Sequence, residues 1–349
     1  MKRIAIFQYD LSLGGIQKSL INLLNSIDLE KYSIDLFLFN KENFYDSKIP
    51  SKVNIIYLKK YPIFFKFMPF VFLKRIITKN VNGEYDVAID FNGYSNECAI
   101  SALKTKCNKK IIWCHNDISV KYDNEWKYRI LYTLFKSKYK CFDTIVNVSE
   151  GARKSFIKKT KIDSERVVSI PNIINTDEIL KKCLEETEFQ VDENKINLVS
   201  VGRICHQKGF DILINYIKNV TSINKNIILY IIGDGPDFKK IYNKVKNNNL
   251  LDNVVFLGGK QNPFKYMNKM DAFVLTSRYE GQGMAILEAK SLGLPVIIPK
   301  HLEKYVENIS GTYDIEKSIL EIKKTLKQVD RLEEYNNNIK TKLINLLES

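Results

Sequence analysis

Glu280 and Glu288, with seven residues between them, are the two carboxylates whose sequence setting most clearly suggests chemistry. Ala272–Thr276 predicts a buried strand, Arg278–Gly283 contains two glycines and predicts a loop, and Met284–Leu292 has helical spacing. Glu280 is therefore expected in a loop at the carboxyl end of a strand, where open α/β sheets bind ligands. Glu288 lies about one turn into the helix, whose first backbone amides have no partner within the helix. Two carboxylates beside an anion-accepting helix end suit a ligand with sugar hydroxyls and a phosphate.

Arg203 and Lys208 supply positive charge after another predicted strand, Ile196–Val201. Basic residues in such loops are usually only solvated. A diphosphate leaving group held without a metal ion needs cations, however, and the chain contains no Asp-x-Asp pair that could hold a divalent ion. Two side-chain cations can neutralise a departing diphosphate, which is the role that a metal ion has in other sites. We therefore favour a binding role for both residues and expect no metal ligands.

Two glycines and one histidine are further candidates. Gly14 and Gly15 lie between the first predicted strand and the predicted helix Ile16–Leu24. There they could form a structural turn or a phosphate-binding loop at a helix N-terminus. His115 follows the predicted strand Lys110–Cys114. A lone histidine at a strand end is more often structural than catalytic, so the sequence leaves both interpretations open.

Five segments, in order along the chain, resemble the motifs of one enzyme family. They resemble those of the retaining nucleotide-sugar glycosyltransferases of the GT-B fold, glycosyltransferase family 4, also called glycosyl transferases group 1. The segments are Ser12–Gln17, Ser169–Asn175, Val201–Phe210, Ile231–Pro236 and Ser277–Pro295. Each motif alone is a weak signal, whereas five in the family's order and spacing are a strong one.

The resemblance implies roles for individual residues. Glu280 would bind hydroxyls of the transferred sugar, Glu288 would bind the ribose, and His115 would contact the donor sugar or support the reaction centre. The implied catalytic residues are Glu280, His115, Arg203 and Lys208. The implied nucleotide-sugar-binding residues are Gly14, Gly15, Gly202, Arg203, Lys208, Gly258, Gly259, Gln282, Gly283, Met284, Ala285 and Glu288. Family members often have Phe where Gln282 stands, which bears on the choice of sugar.

The resemblance also implies a reaction. The chain would move a sugar from a nucleotide-diphosphate sugar, with a UDP-sugar as the expected donor, and would retain the anomeric configuration. The acceptor would be a polyprenyl-diphosphate-linked or surface-polysaccharide saccharide, as in capsule biosynthesis. No cofactor or metal is expected. Lys300–Glu307 departs from the family pattern, which predicts a rebuilt or shortened helix at that point.

Predicted strands alternate with predicted helices through both halves of the chain, which is typical of α/β units with parallel sheets. The resemblance makes this a GT-B fold, two facing Rossmann-like domains with a deep cleft between them. The expected segments are an acceptor-side domain at 1–175, a linker at 176–194, a nucleotide-sugar-binding domain at 195–325, and a C-terminal helix at 326–349 that packs back toward the first domain. A chain of 349 residues is long enough for two such domains.

The net charge of +14 is concentrated in the first half. Residues 1–175 contain 29 Lys and Arg against 17 Asp and Glu, whereas residues 176–349 contain 25 against 23. Such a field favours an anionic partner: a phospholipid surface, a diphosphate-linked acceptor or nucleic acid. The six cysteines show no metal-binding spacing and indicate reduced thiols of a cytoplasmic protein. Neither a signal peptide nor a membrane span is predicted.

Tyr57–Lys79 alternates aromatic and aliphatic residues with lysines and contains two prolines. Its rings could enter a lipid headgroup boundary while its lysines pair with anionic lipid. It could equally be a core helix whose lysines reach water. With the charge asymmetry, we favour peripheral contact with the inner face of the cell membrane.

Two other functions remain alternatives. The basic isoelectric point suggests a nucleic-acid-binding protein, although no aromatic and basic recognition motif is present, so we expect no nucleic-acid partner. A non-catalytic GT-B subunit that docks a partner enzyme is the second alternative, disfavoured because both glutamates and both cations are present. Complexes with other polysaccharide-assembly enzymes are included among the expected partners.

Overall fold

The computed structural model describes residues 1–41, 44–62, 64–65, 68–77 and 81–349. The chain forms two compact units. Unit 1 contains Met1–Ile173 and Glu334–Ser349, and unit 2 contains Ile174–Glu333. Both units contain a parallel sheet with helices, so the predicted α/β class is confirmed.

Unit 1 is built on a seven-stranded parallel sheet with strand order β3-β2-β1-β4-β5-β6-β7. The strands are β1 Lys2–Gln8, β2 Tyr32–Leu38, β3 Asn54–Tyr57, β4 Glu84–Asp90, β5 Lys106–Cys114, β6 Thr144–Asn147 and β7 Val167–Ser169. The helices are α1 Gly15–Leu24, α2 Phe70–Ile76, α3 Asn96–Lys104, α4 Ile118–Asn124, α5 Trp126–Phe135 and α6 Glu150–Thr160. Successive side chains of a strand point to opposite faces, and β1 shows the consequence. Ile4 and Ile6 pack into one core cluster, and Ala5 and Phe7 pack into the other.

Unit 2 contains a five-stranded parallel sheet with strand order β10-β9-β8-β11-β12. The strands are β8 Ile196–Val201, β9 Ile227–Ile232, β10 Val254–Gly258, β11 Ala272–Val274 and β12 Val296–Ile297. The helices are α7 Thr176–Cys183, α8 Phe210–Ile223, α9 Phe238–Asn247, α10 Phe264–Met267, α11 Met284–Ser291 and α12 Ile315–Leu320. All six residues of β9 are buried, as expected for a strand covered on both faces of a parallel sheet.

The last helix, α13 Glu333–Glu348, packs on unit 1. Its apolar face, which includes Ile339 and Leu343, joins the core cluster that contains Ile4 and Ile6. Charged groups of the sheet hold its end, because the Lys109 Nζ donates to the carbonyl of Leu346 at 2.9 Å. The helix begins at Glu333, later than the expected 326.

Several element bounds differ from those expected. β5 begins at Lys106 rather than Lys110, because its polar first half pairs with β4 and its lysines remain at the edge of the core. The first part of the expected linker, Thr176–Cys183, is the helix α7. The segment that departs from the family pattern contains a 3-10 helix at Lys300–Tyr305.

The Tyr57–Lys79 segment is partly outside the described residues, since 63, 66–67 and 78–79 are not described. In its described part, α2 buries Phe70 and Leu73 in the core and exposes Val71, Phe72 and Ile76. Both interpretations of the segment therefore keep support. Within the described part of the chain, no helix has the length and apolar character that a bilayer crossing needs.

Candidate functional site

The carboxyl ends of two neighbouring strands of unit 2, β8 and β11, bring Lys208 and Glu280 together. The Lys208 Nζ lies 2.7 Å from the Glu280 Oε1, and the Ser277 hydroxyl donates to the same oxygen at 2.6 Å. The Glu280 side chain is only 6% exposed and that of Lys208 18%. A carboxylate buried to this degree must be paired and hydrogen-bonded to remain charged. Both described bonds fall on Oε1, so Oε2 is the oxygen that remains for a ligand.

A second ion pair fastens the loop before Glu280. The guanidinium of Arg278 donates to both oxygens of Asp211, at 2.8 and 2.7 Å, and also to the carbonyl of His206 at 2.8 Å. The hydrogen bond from Arg278 holds the pKa of Asp211 below its usual value. Bidentate pairs of this kind fix geometry as well as adding energy. Arg278 thereby ties the loop after β11 to the turn that carries Lys208.

Backbone contacts complete this connection. The amide of Arg278 donates to the carbonyl of Gln207 at 2.8 Å, and the Gln207 side chain donates to the carbonyl of Tyr279 at 3.1 Å. The imidazole Nε2 of His301 lies 2.9 Å from the carbonyl of Ser277. Lys208 and Glu280 are therefore held by two loops that bond to each other along several residues.

Glycines allow the two loops to approach so closely. Gly209 has a φ of +63°, and a Cβ at this position would lie 2.2 Å from the carbonyl oxygen of Thr276. The Thr276 hydroxyl in turn donates to the Gly209 carbonyl at 3.0 Å. At Gly202, a Cβ would lie 3.3 Å from the Lys208 Cε, so the aliphatic part of Lys208 lies across this glycine.

The second glutamate, Glu288, lies in α11, the helix that follows the loop of Glu280. Gly283 precedes the helix with a φ of +74°, and its carbonyl accepts from the amides of Ile286 and Leu287. The amides of Met284 and Ala285, in the first turn, have no acceptor within the helix. Glu288 and Gln282 are buried, at 7% and 3% exposure. The expected nucleotide-sugar-binding residues of this stretch thus lie in the loop after Glu280 and in the first turns of α11. They are Gln282, Gly283, Met284, Ala285 and Glu288.

Arg203 and the Gly258–Gly259 turn lie at the same end of this sheet, after β8 and at the end of β10. Arg203 is exposed. Gly258 ends β10, two strands from β8, with a φ of +73°, and its carbonyl accepts from the amide of Gly233 at 2.9 Å. A Cβ added at Gly259 would meet no described heavy atom within 4 Å beyond its chain neighbours, so this position is open to a ligand.

The predicted residues of unit 1 follow β1 and β5 of its sheet. Gly14 precedes α1, and Gly15 is the first residue of this helix. The side-chain amide of Gln17 donates to the Asp10 carboxylate at 2.8 Å, which closes the turn around the two glycines. β4 lies between β1 and β5, so the turn and His115 are at the same end of the sheet but not on adjacent strands.

His115 is a buried, neutral histidine. Its Nε2 lies 2.6 Å from the carbonyl oxygen of Phe91, and its ring packs against the Phe91 ring at 4.8 Å between centroids. Because a carbonyl can only accept, Nε2 carries the hydrogen and Nδ1 is an acceptor. Burial lowers the pKa of His115 to about 4. At neutral pH the ring is therefore uncharged. It can accept a hydrogen bond at Nδ1, but it cannot act as a general acid.

Sequence reasoning missed a buried lysine and a buried aspartate that are connected through Gly93. The Lys138 Nζ donates to the carbonyl of Gly93 at 2.6 Å, and the Gly93 amide donates to the Asp90 carboxylate at 3.0 Å. Burial raises the pKa of Asp90 to about 6 and lowers that of Lys138. No local pattern marks Lys138, which stands among exposed lysines in the sequence. Among the described residues, no group of three or more His, Cys, Asp and Glu side chains could hold a metal ion.

Two family models match almost the whole chain. The model described as Glycosyltransferase Family 4 matches residues 13–178, and the model described as Glycosyl transferases group 1 matches residues 184–341. The chain belongs to this glycosyltransferase family. The resemblance on which the sequence analysis depended is thereby confirmed.

Curated relatives of this glycosyltransferase include a lipid-linked sugar transferase. It is the N-acetylgalactosamine-N,N'-diacetylbacillosaminyl-diphospho-undecaprenol 4-alpha-N-acetylgalactosaminyltransferase of Campylobacter jejuni, 26% identical over 98% of this chain and 95% of the relative. An uncharacterized glycosyltransferase of Methanocaldococcus jannaschii is 32% identical. That match spans 54% of this chain and 47%, about half, of the relative.

Solved structures share the fold. The structure of an S. aureus TarM variant in complex with fondaparinux, alpha-GlcNAc-glycerol and UDP superposes with a TM-score of 0.71 and covers 100% of both chains at 14% identity. Since TarM is a GT-B glycosyltransferase, the predicted GT-B fold is confirmed.

The close approach at Gly209 predicts a large cost for one methyl group. Gly209→Ala adds a Cβ where the Thr276 carbonyl stands and strains a left-handed backbone, so the unfolding free energy should fall by about 2–4 kcal/mol. Gly259→Ala is the matched control and should change it by less than about 0.5 kcal/mol. Urea denaturation followed by fluorescence measures both. Equal effects at the two positions would contradict the close packing of the loops.

The buried His115 predicts a pH dependence of stability. Its native pKa, about 4, lies below the ordinary value of 6.5, so its contribution is complete above pH 6.5 and declines as the pH falls toward 4. The loss should reach on the order of 3 kcal/mol. His115→Asn keeps a donor for the Phe91 carbonyl and cannot titrate, so its stability should decline less over this range. Parallel pH dependences of the wild type and His115→Asn would show that the ring is not neutral and buried.

Proposed function

We propose that this glycosyltransferase moves a sugar from a UDP-sugar to a lipid-linked or surface-polysaccharide saccharide, with retention of anomeric configuration and without a metal ion. The observation that carries the proposal is the Lys208–Glu280 pair at adjacent strand ends, in a chain of this family. The TarM complex contains UDP, which supports the donor class, and the Campylobacter relative is named for a diphospho-undecaprenol acceptor, which supports the acceptor class.

Glu280 is proposed to orient the transferred sugar. Ser277 and Lys208 bond to its Oε1, so the carboxylate is fixed before any ligand binds and Oε2 can accept from a sugar hydroxyl. A hydroxyl bond to a charged, preorganised carboxylate is stronger than a neutral one. Glu288, one turn into α11, is proposed to accept from the ribose hydroxyls.

Positive groups of unit 2 are proposed to hold the diphosphate. Lys208 is largely shielded from water and is paired with Glu280, while Arg203 is exposed and can move toward an incoming ligand. The first-turn amides of Met284 and Ala285 add hydrogen-bond donors and the positive end of the helix dipole. In unit 1, Gly14 and Gly15 are proposed to bind phosphate through the backbone amides at the start of α1. His115 is proposed to accept a hydrogen bond from the donor sugar at its neutral Nδ1.

The proposed reaction is a displacement on one face of the sugar. The bond from the anomeric carbon to the phosphate oxygen breaks, and the acceptor hydroxyl oxygen bonds to the same face of that carbon. The departing phosphate oxygen takes the hydroxyl proton, so no protein base is needed behind the sugar. The protein would contribute positioning and stabilisation of the charge that develops on the leaving diphosphate.

The proposed class of acceptor also indicates where in the cell the enzyme would act. A polyprenyl-linked saccharide lies in a membrane, so we propose that the enzyme acts at the cytoplasmic face as a peripheral protein, together with other polysaccharide-assembly enzymes. Family membership gives no support to the nucleic-acid-binding alternative. A non-catalytic subunit would differ from the proposed enzyme in one testable respect, the need for Glu280.

Substitutions at the charged pair should separate sugar orientation from diphosphate binding. Glu280→Gln should lower turnover at least about 100-fold while UDP still raises the melting temperature, because the lost carboxylate faces the sugar. Lys208→Met should weaken UDP binding at least about 10-fold, because a cation is lost from the diphosphate. Binding is measured by calorimetry, and turnover by nucleotide release from UDP-sugars with lipid-linked acceptors.

Glu307→Gln, an exposed glutamate of the same unit, is the matched control and should behave as the wild type. Unchanged turnover in Glu280→Gln, measured in a reaction reconstituted with the other polysaccharide-assembly enzymes, would support the non-catalytic subunit. Absence of thermal stabilisation by UDP-, GDP- and ADP-sugars alike would contradict the proposed function as a whole.

A further inference from the structure

A cavity on unit 1 combines cations with an apolar lining. It has a volume of about 480 Å³ and lies between α2, the end of α3 and the turn Lys136–Cys141. Lys74, Arg75 and Lys104 supply its charge, and Phe70, Val71 and Cys141 supply most of its apolar lining. No acidic residue is among the described residues that line it. Three cations facing one concave surface repel one another unless an anion is bound between them.

The cations of this cavity are not used elsewhere in the described structure. The Lys74 Nζ has a contact with the Cys141 Sγ at 3.5 Å, which is a weak acceptor. Within the described residues, neither Lys74, Arg75 nor Lys104 forms an ion pair. An anion entering the cavity would therefore gain three charges without breaking an existing salt bridge.

Exposed apolar side chains stand beside these cations. On α2, Val71, Phe72 and Ile76 are each about half exposed, at 50, 55 and 54%. A soluble phosphate compound would leave these side chains in water, whereas a membrane would cover them. Apolar groups next to cations are the composition of surfaces that lie in the headgroup boundary of anionic lipid.

A second helix extends the same composition. α5 leads directly into the turn Lys136–Cys141, against which α2 packs. It exposes Trp126 and Ile130, four residues apart and hence on one helix face. Neither Trp126–Cys141 nor Tyr57–Ile77 contains a single Asp or Glu. The excess of positive charge in the first half of the chain is thus concentrated on segments that also expose apolar residues.

We propose that the cavity of Lys74, Arg75 and Lys104 binds the headgroup phosphate of an anionic phospholipid while Val71, Phe72 and Ile76 enter the membrane boundary. The inference rests on the proposed function for its purpose, since a lipid-linked acceptor requires an enzyme at the membrane. The two proposals are tested independently, because vesicle binding is measured without donor or acceptor.

The test is co-sedimentation of the full chain with large unilamellar vesicles. One set contains phosphatidylcholine alone, and the other contains about one-third phosphatidylglycerol. The wild type should bind only the second set, and binding should weaken as NaCl rises from about 0.1 to 0.5 M. Lys74→Glu/Arg75→Glu should lower the partition coefficient at least about 25-fold, since each cation near an anionic surface contributes roughly fivefold. Phe72→Ser/Ile76→Ser should lower it with little change in salt dependence.

Lys225→Glu/Lys246→Glu, which makes the same charge change at exposed lysines of unit 2, is the control. Its binding should remain within about twofold of the wild type. Thermal stabilisation by UDP should persist in every variant, so a failed donor assay and failed vesicle binding can be told apart. Equal binding to both vesicle sets, equal losses in the control, or full competition by inorganic phosphate would each overturn the proposal. So would a wild type that binds neither set.

Discussion

The contact between Lys208 and Glu280 is the interaction on which the candidate site depends. A carboxylate that is almost completely buried is unfavourable unless a cation and hydrogen-bond donors satisfy it. Lys208 and Ser277 do so, but only because the loops after β8 and β11 run against each other. Their approach requires a residue without a side chain at 209, and the parallel sheet places the two strand ends side by side. The ion pair therefore depends on the glycine at 209, and both depend on the order of the strands in the sheet.

Charged side chains differ between the two units in whether they are paired within the protein. In unit 2, two ion pairs lie within the protein at the site, Lys208 with Glu280 and Arg278 with Asp211. Such pairs fix loops before a ligand arrives, which lowers the cost of ordering them on binding. In unit 1, the cations around the α2 cavity have no such acid among the described residues that line it. On the proposal above, these cations bind an external anion, which would account for part of the excess charge of this unit.

Much of the fold could be predicted from the sequence, because buried strands of parallel sheets are continuous apolar runs. β8, for example, has the predicted bounds Ile196–Val201, and β10 differs by one residue at its end. The GT-B fold and the family were predicted from the order of the family motifs along the chain. The start of α13 was less predictable, since the charged segment before Glu333 has helical composition but is not helical in the structure. It is held by individual contacts within unit 2, such as the ion pair between Lys290 and Asp330.

The connections within the candidate site could not be predicted in the same way. Glu280 and Lys208 were chosen from strand ends, but their direct contact joins residues 72 positions apart. Arg278 and Asp211 were missed because an exposed-looking arginine and a first-turn aspartate are common in solvated loops. Lys138 was missed for the opposite reason: its burial depends on a 3-10 turn that folds it toward Gly93, and no sequence period marks that turn.

A crystal structure of the chain with a bound UDP-sugar tests the central claim most directly. The account predicts that diphosphate oxygens lie within hydrogen-bond distance of Lys208, Arg203 and the first amides of α11, about 2.7–3.2 Å, and that a sugar hydroxyl bonds to the Glu280 Oε2. A nucleotide sugar bound elsewhere, with the Lys208–Glu280 pair untouched, would contradict it.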